Sequence, residues 1–341
     1  MTNRRIVLAE RPSGLVNSST TRLETVSRPP CGPGEALIKV GLISIDPTIR
    51  TWMNDAPGYL PPIQINDVIR AGGAGVVVES SHDAYQVGDI VFGMTGWQEW
   101  CIASGANTFN TLPKGMGIDL PTMLNVTGMT GVTAYFGMME VGALTPGDVV
   151  VVSGAAGATG SVAGQIAKAK GAAKVVGIAG GPDKCREVVE LYGFDECLDY
   201  RQGDLTAQLH RSCPKGIDIY FDNVGGEILD AALVNIAPRG RVVVCGAISQ
   251  YNESTPSHGV MNHAMLIVRR ARMEGFLVLD YFDRIQEAQM ELGGLLLSGA
   301  LQHREHVVEG LENAPAALNL LFSGGNHGKT LVRVDSSVTL E

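Results

Sequence analysis

The sequence lacks any pair of cysteines at the short spacing that metal sites and redox motifs use. Its six cysteines stand alone among small or apolar neighbours, at positions 31, 101, 185, 197, 213 and 245. A structural zinc site needs thiolates that lie close enough to complete a tetrahedron, and this spacing argues against one. We therefore expect free, mostly buried thiols and no metal.

Basic blocks and long apolar runs are also missing. The net charge is −9 and no segment gathers Lys and Arg, so nucleic acid is a poor partner. No run of 18 uncharged apolar residues occurs, and residues 1–14 lack the apolar run of a signal peptide. We expect no membrane association and a cytoplasmic protein. The missing Gly-x-Ser-x-Gly turn argues against a hydrolase.

Glycine is abundant, and the chain is long enough for two domains. The 341 residues include 43 glycines, and 45% are hydrophobic, which is typical of a globular protein with many tight turns. Short apolar runs separated by Gly and Pro predict strands in the first part, at 36–45, 74–79, 89–93 and 99–103.

From Pro121 the pattern changes. A predicted helix over 121–141 is followed by alternating strands and helices, and strands such as 149–152 are apolar at every position. This predicts a doubly wound parallel sheet that is covered on both faces. Further predicted elements are a helix at 226–236, strands at 241–246 and 273–279, and a helix at 284–298.

The strand-rich style returns at 305–309 and 328–334, so we expect the chain's end to complete the first domain. The predicted fold class is α/β, with a β-rich domain and a parallel-sheet domain. The predicted boundaries are 1–125 with 307–341 for the first domain and 126–306 for the second.

A glycine-rich turn follows the strand at 149–152. Gly154, Gly157 and Gly160 are spaced by three and open a predicted helix, which is the context of a dinucleotide fingerprint. The first glycine permits the sharp turn, the second admits a pyrophosphate, and the third allows close packing of helix and strand. A plain turn between strand and helix is the alternative.

The end of the second parallel strand carries no acid that would bind the ribose hydroxyls of NAD. Gly180 stands there instead, and Lys184, Tyr200 and Arg201 supply cations and donors for a 2′-phosphate. NADP(H) is therefore the predicted cofactor. The alternatives are that Lys184 is a solvated helix residue and that Asp183 is an N-cap or a ribose ligand.

Several segments together resemble one family over nearly the whole chain. They are Asp46-Pro47-Thr48-Ile49-Arg50, Tyr59 to Ile65, Gly128 to Tyr135, Phe221 to Gly226, Cys245 to Asn252 and Gly328-Lys329-Thr330. In these the chain resembles the zinc-free medium-chain dehydrogenases/reductases, in the branch of prostaglandin, plant double-bond and bacterial curcumin reductases.

The resemblance implies a GroES-like domain, a Rossmann domain and a homodimer. It also implies NADPH-dependent reduction of the carbon-carbon double bond of α,β-unsaturated ketones and aldehydes. It assigns cofactor contacts to Met129, Thr133, Gly154, Ala155, Ala156, Gly157, Ala158, Thr159, Gly160, Gly180, Lys184, Tyr200, Asn223, Cys245, Ile248, Ser249, Tyr251, Asn252, Phe276, Leu277, Val278 and Asn326.

The sequence indicates the substrate contacts less clearly than the cofactor contacts. We expect Asp46, Arg50, Tyr59 and Tyr251 to contact the substrate. Many members of the branch have a tyrosine four residues before an Arg-Met-Glu-Gly-Phe segment, but this chain has Val268 there. Tyr59 is therefore the predicted catalytic hydroxyl, and simple packing of its ring is an equal alternative.

Zinc-dependent relatives carry a Cys and a Gly-His-Glu element, whereas this chain has Asp46 and Gly73-Ala74-Gly75. No metal Lewis acid is expected. A quinone or ketone reductase on the same scaffold stays open, as does a non-catalytic NADPH-binding sensor or structural protein. His303 and His306, spaced three apart, are expected on a solvated turn rather than at a metal.

Overall fold

The computed structural model describes residues 1–112, 118–253 and 258–339. The strands are β1 (Thr2–Leu8), β2 (Thr21–Ser27), β3 (Ala36–Ser44), β4 (Gly72–Ser80), β5 (Ile90–Met94), β6 (Trp100–Ala103), β7 (Phe109–Thr111), β8 (Val149–Ser153), β9 (Lys174–Ala179), β10 (Glu196–Asp199), β11 (Ile217–Asp222), β12 (Ile236–Val244), β13 (Arg272–Gly275), β14 (Glu305–Glu309) and β15 (Lys329–Arg333).

The α-helices are α1 (Thr48–Trp52), α2 (Leu120–Asn125), α3 (Met129–Phe136), α4 (Ala158–Ala169), α5 (Pro182–Glu190), α6 (Leu205–Ser212), α7 (Gly226–Val234), α8 (Ala264–Arg269), α9 (Ile285–Leu297) and α10 (Ala314–Ser323). A π-helical turn follows α3 at Gly137–Val141, and 3₁₀ helices lie at Ile248–Gln250, Val278–Arg284 and Leu311–Asn313.

The chain divides into two compact units. One comprises Met1–Leu124, Tyr251–Ser254 and Glu305–Glu341, and the other comprises Asn125–Gln250 and Thr255–Arg304. Tyr251 and Asn252, which the sequence places in the second domain, group with the first unit.

The first unit is built on a mostly antiparallel sheet with strand order β14-β15-β3-β4-β5-β7, and β6 pairs with β3. Strands β14 and β15 come from the end of the chain, and β15 pairs antiparallel with β3. β3 is apolar and almost wholly buried, so it forms the centre of the unit's core. A separate pair, β1 with β2, was not predicted from the sequence.

The second unit is a parallel sheet with strand order β10-β9-β8-β11-β12-β13. Strands that are buried on both faces form this kind of sheet, and β8 and β9 are almost entirely buried. The strand order reverses between β8 and β11, and ligands of such folds bind at the carboxyl ends of the strands beside the reversal. The α/β fold class predicted from the sequence is confirmed.

Three predicted elements are wrong in detail. The helix predicted over 121–141 is interrupted at 126–128, where a Cβ at Gly131 would lie 1.8 Å from the Val126 carbonyl oxygen. The helix predicted to end at 236 stops at Val234, because Ile236 already pairs with Ile217 in the sheet. The strand predicted over 273–279 ends at Gly275, and a 3₁₀ helix follows from Val278.

The cysteines are all free, as expected. Cys101 and Cys213 are buried and the other four are half-buried, so fewer thiols are buried than the sequence predicts. Burial raises the pKa of Cys101 to about 12 and that of Cys213 to about 11. Among the described residues, no helix is both long and apolar enough to span a membrane.

Candidate active site

The glycine-rich turn lies between β8 and α4 and is shaped by steric limits at its first and last glycines. Gly154 has a φ of +61°, in the left-handed region where a side chain is strained. A Cβ at Gly160 would lie 2.3 Å from the Gly154 carbonyl oxygen. Gly157 donates its amide to the same oxygen at 2.9 Å. The turn therefore requires glycine at its first and last positions, where a side chain would be strained or would clash.

Helix α4 begins in this turn with no side chain as its cap. Its N-cap is Gly157 in an extended conformation, followed by Ala158 and Thr159. The first amides of a helix point outward without intrahelical partners, and the helix dipole adds partial positive charge there. Ala155 and Ala156 are buried and fix the turn to the core. The N-terminus of α4 is thus suited to a pyrophosphate.

Gly180, at the end of β9, is covered by side chains that follow β10. A Cβ at Gly180 would lie 2.9 Å from the Tyr200 hydroxyl and 3.0 Å from Arg201 Nε. Arg201 lies 5.7 Å from the centre of the Tyr200 ring, in a cation-π contact. The structure therefore brings together Gly180, Tyr200 and Arg201, three of the residues that the sequence assigns to the 2′-phosphate.

Lys184 lies on the first turn of α5, where the charge of Arg201 acts on its ammonium group. Burial lowers the pKa of Lys184; Glu187 opposes the shift and Arg201 adds to it. Among the described residues, neither the Lys184 ammonium nor the Arg201 guanidinium has an ion-pair partner. Two cations near one another without a counter-ion favour a dianionic ligand such as a phosphate.

The carboxylate of Asp199, which ends β10 beside this cluster, accepts hydrogen bonds from backbone amides. Asp199 Oδ1 accepts hydrogen bonds from the amides of Gly181 at 2.9 Å and Arg201 at 3.1 Å. Asp183 instead pairs with Arg186 on the exposed face of α5, which does not favour its alternative role as a ribose ligand. Asp199 thus holds the turn rather than offering its carboxylate to a ribose.

A buried polar cluster joins the end of β8 to the end of β11. Asn223 donates from its backbone amide to Ser153 Oγ at 2.8 Å and from Nδ2 to the Ser153 carbonyl oxygen at 2.7 Å. Asp222 Oδ1 accepts from the hydroxyls of Ser153 and Tyr220. This cluster fixes Asn223 beside the glycine turn. Sequence reasoning did not find Asp222, because no spacing rule links it to Ser153.

The loop after β12 contains further predicted cofactor contacts. The amides of Ile248 and Ser249 donate to the carbonyl oxygens of Asn223 and Val224, each at 3.2 Å. Ser249 Oγ also donates to Val224 at 2.6 Å. Burial, with Asp222 nearby, raises the pKa of Cys245 to about 12. The carboxyl ends of β8, β11 and β12 are therefore linked into one rigid edge.

The remaining predicted contacts of the second unit lie around α3 and the segment after β13. Met129 begins α3, and Thr133 Oγ1 donates to the Met129 carbonyl oxygen at 2.6 Å. Phe276 and Val278 pack half-buried against the core, and the Phe276 ring lies against Gly137. Leu277 lies between them and is half-buried.

The other predicted cofactor contacts group with the first unit. Asn252 Oδ1 is buried and has no hydrogen-bond partner in the part of the chain that the structure describes. Asn326 is buried and donates from Nδ2 to the Gly328 carbonyl oxygen at 3.1 Å. Tyr251 is half-buried. A buried oxygen without a donor favours a ligand that brings one.

Tyr59 lies in an aromatic and cationic cluster of the first unit. Its hydroxyl is 2.6 Å from Thr48 Oγ1, its ring meets Trp52 edge-on at 6.2 Å, and the side chain is 45% exposed. Arg70 lies over the Trp52 ring at 5.6 Å and donates to the Pro61 carbonyl oxygen at 2.9 Å. The hydroxyl is therefore oriented by Thr48 and still reaches solvent.

Asp46 and Arg50, the other predicted substrate contacts, are held within the protein. Arg50 is 2% exposed, and its guanidinium donates to Gly14, Pro12 and Asn54. Asp46 accepts from Ser44 and from Lys329 Nζ. These bonds favour a structural role for Arg50 rather than contact with a substrate.

The segment that stands in place of the Gly-His-Glu element is tightly packed at Gly73. A Cβ at Gly73 would lie 2.4 Å from Thr95 Oγ1 and 2.5 Å from the Leu42 carbonyl oxygen. Within the described residues, no group of three or more His, Cys, Asp or Glu side chains is arranged to hold a metal ion. His306 lies in β14 rather than on a solvated turn.

Comparison with known proteins gives matches to both parts of the chain. Residues 4–111 match the family described as the N-terminal domain of oxidoreductase, and residues 158–292 match the family described as zinc-binding dehydrogenase.

Full-length relatives match as well. The chain is 41% identical over 338 residues to the NADPH-dependent curcumin reductase of Escherichia coli (strain K12), covering 97% of each. It is 39% identical over 340 residues to the 2-alkenal reductase (NADP(+)-dependent) of Nicotiana tabacum, covering 98% of each. The crystal structure of CurA in complex with NADPH from Vibrio vulnificus matches with a TM-score of 0.92 and 39% identity, covering 98% of this chain and 99% of that one.

Proposed function

Because the chain belongs to the zinc-free reductase branch of the medium-chain dehydrogenase/reductase superfamily, we propose that it reduces the carbon-carbon double bond of α,β-unsaturated ketones and aldehydes with NADPH. The observation that carries the proposal is the cationic cluster after β9, where Tyr200 and Arg201 cover Gly180 and the charge of Arg201 acts on Lys184. The relatives named for NADPH support the same cofactor.

The residues of the second unit fit the cofactor. Amides at the start of α4 would bind the pyrophosphate, and Lys184, Tyr200 and Arg201 would bind the 2′-phosphate. Asn223, Cys245, Ile248 and Ser249 lie on the edge that these turns form, and we propose that they line the nicotinamide half. When bound, NADPH supplies the hydride that the reduction needs.

The protein has to stabilise the negative charge that develops on the substrate's carbonyl oxygen. We propose that the Tyr59 hydroxyl donates a hydrogen bond to this oxygen, while Thr48 Oγ1 donates its own proton to the Tyr59 oxygen and so orients it. The hydroxyl is exposed enough to reach a ligand, and its ring is fixed by Trp52. An activated double bond needs no metal to polarise it.

A panel of substrates tests this function. Purified protein with NADPH is mixed in turn with enals, enones, quinones and simple ketones, and cofactor consumption is measured. The proposal expects turnover of enals and enones well above that of quinones and saturated ketones. Preferred turnover of quinones or ketones would assign the alternative reductase activity. Binding of NADPH without consumption across the panel would assign a non-catalytic role.

We also propose that the protein is a homodimer formed through the edge of the parallel sheet. The four residues of the edge strand β13 are all exposed, and Ile267 and Val268 on α8 are 80% and 59% exposed. An exposed edge strand beside apolar side chains is a surface that another chain can cover. Light scattering on the wild type should give twice the chain's mass, and Ile267→Glu should give a monomer.

The proposed location is the cytoplasm, as the sequence predicts. Fractionation of cells that express the tagged full-length protein would check it, and recovery in a membrane or secreted fraction would contradict it.

A further inference from the structure

Lys329 is a buried cation that the proposed chemistry does not yet use. Its side chain is 2% exposed. Its ammonium donates to three oxygens, which are the carbonyl oxygens of Ile45 at 3.0 Å and Thr330 at 3.2 Å and Asp46 Oδ1 at 3.0 Å. An ammonium has three protons, so every donor of Lys329 is used. A lysine that only filled space would not need this arrangement.

Asp46 is fixed at both carboxylate oxygens. Oδ1 faces Lys329, and Oδ2 accepts from the hydroxyl of Ser44. Its carbonyl oxygen also accepts from the amide of Ile49 at 3.0 Å, in the first turn of α1. Breaking a buried ion pair by removing one partner leaves an uncompensated charge, so each partner strongly constrains the other.

The pair lies at the base of the helix that carries Thr48, the hydrogen-bond partner of Tyr59. Asp46 is followed by Pro47 and then by Thr48, whose Oγ1 lies 2.6 Å from the Tyr59 hydroxyl. A shift of the Asp46 backbone would move Thr48 directly, because α1 is only five residues long. Small displacements of groups that position a catalytic donor lower turnover strongly.

We propose that Lys329 is a positioning residue for the reduction, which acts through Asp46 and the start of α1 to hold Thr48 and thereby the Tyr59 hydroxyl. The inference rests on the proposed function and on the role proposed for Tyr59. Lys329 does not contact the substrate in this account. Its charge instead sets the place where the hydroxyl of Tyr59 meets the substrate oxygen.

A double-mutant cycle tests the proposal in the intact enzyme. Lys329→Met, which keeps the length of the side chain, should lower kcat for an enone about tenfold and leave the KM for NADPH unchanged. In a Tyr59→Phe background the same change should lower kcat by less than about twofold, because the group that it positions is gone. Lys39→Met, at a half-exposed lysine of β3 paired with Asp335, is the matched control and should leave kcat unchanged.

Asp46→Asn is a second variant, which replaces Lys329→Met if that protein does not fold. It preserves the shape of the Asp46 side chain and removes its charge, so the contact with Lys329 becomes weaker. It should also lower kcat only when Tyr59 is present. Equal losses in the two backgrounds would overturn the proposal, as would a fall in Tm with kcat per folded enzyme unchanged. An unchanged kcat in Tyr59→Phe alone would overturn it too. A wild type inactive on every enone would instead overturn the proposed function.

Discussion

A Cβ at position 160 would lie 2.3 Å from the carbonyl oxygen of Gly154, at the turn that opens α4. Gly160→Ala must push the helix away from the turn, and we expect a loss of about 1–3 kcal/mol in the free energy of unfolding. NADPH affinity should fall as well, because the amides of α4 move. Urea unfolding and a binding titration measure the two effects.

Gly294 provides the control for this change. It lies within α9, and a Cβ there meets no atom within 4 Å. Gly294→Ala should therefore be neutral or stabilise the protein by up to about 1 kcal/mol. Equal behaviour of the two variants would contradict the steric account of the turn.

Lys184 and Arg201 should discriminate NADPH from NADH. Lys184→Ala and Arg201→Ala each remove a charged hydrogen bond to the 2′-phosphate, which is worth about 1.5–3 kcal/mol. The KM for NADPH should rise roughly ten- to a hundredfold, and that for NADH should change little. Arg186→Ala, on the exposed face of α5, should leave both constants unchanged. Parallel increases for the two cofactors would exclude this cluster as the phosphate site.

Tyr59→Phe should lower kcat for an enone about tenfold, since one of the donors to the developing oxyanion is lost. The KM for NADPH should not change. Tyr85→Phe is the matched control, because the Tyr85 hydroxyl is buried and forms two hydrogen bonds with the backbone of Phe109. That variant should lower Tm and leave kcat unchanged. If Tyr59→Phe retains full turnover, the ring of Tyr59 only packs.

Asp230 should make the stability depend on pH. Burial raises the pKa of the Asp230 carboxyl, but hydrogen bonds from the Asn262 amide, His258 and the Met261 amide lower it by more. The pKa therefore lies below its ordinary 3.8. A lowered pKa in the folded state stabilises the protein above the unfolded value, and the contribution is lost as the pH falls through the folded pKa.

The Tm difference between wild type and Asp230→Asn should therefore be largest near neutral pH and shrink below about pH 4. Thermal melts across this range measure it. Asp183→Asn, at an exposed acid, should show no such trend. A Tm difference that stays constant down to the lowest pH at which the protein folds would contradict the assignment.

The sequence predicted the parallel sheet well because it contains buried apolar runs, such as the four valines that begin β8. It missed β1, where Thr2, Arg4 and Arg5 are polar and the periodicity is weak. It also extended one strand through Phe276–Leu279, since a short apolar run does not distinguish a strand from a 3₁₀ helix that packs on the core.

The site residues also differ in how far the sequence predicts them, because some lie in one local motif and others come from distant segments. Residues in one local motif, such as Gly154 to Gly160, were predicted from their spacing. Contacts between distant segments were not, because no local pattern records them. Lys329 and Asp46 are 283 residues apart, and only the folded chain shows that they form a partly buried pair.

The position of the transferred hydrogen in the product tests directly whether the protein reduces the carbon-carbon double bond. NADPH that carries deuterium at the transferred position is reacted with an α,β-unsaturated aldehyde or ketone, and the product is analysed by NMR. We expect a saturated carbonyl compound with deuterium on the β carbon. Deuterium on the carbonyl carbon of an allylic alcohol, or no transfer to any enal or enone, would contradict it.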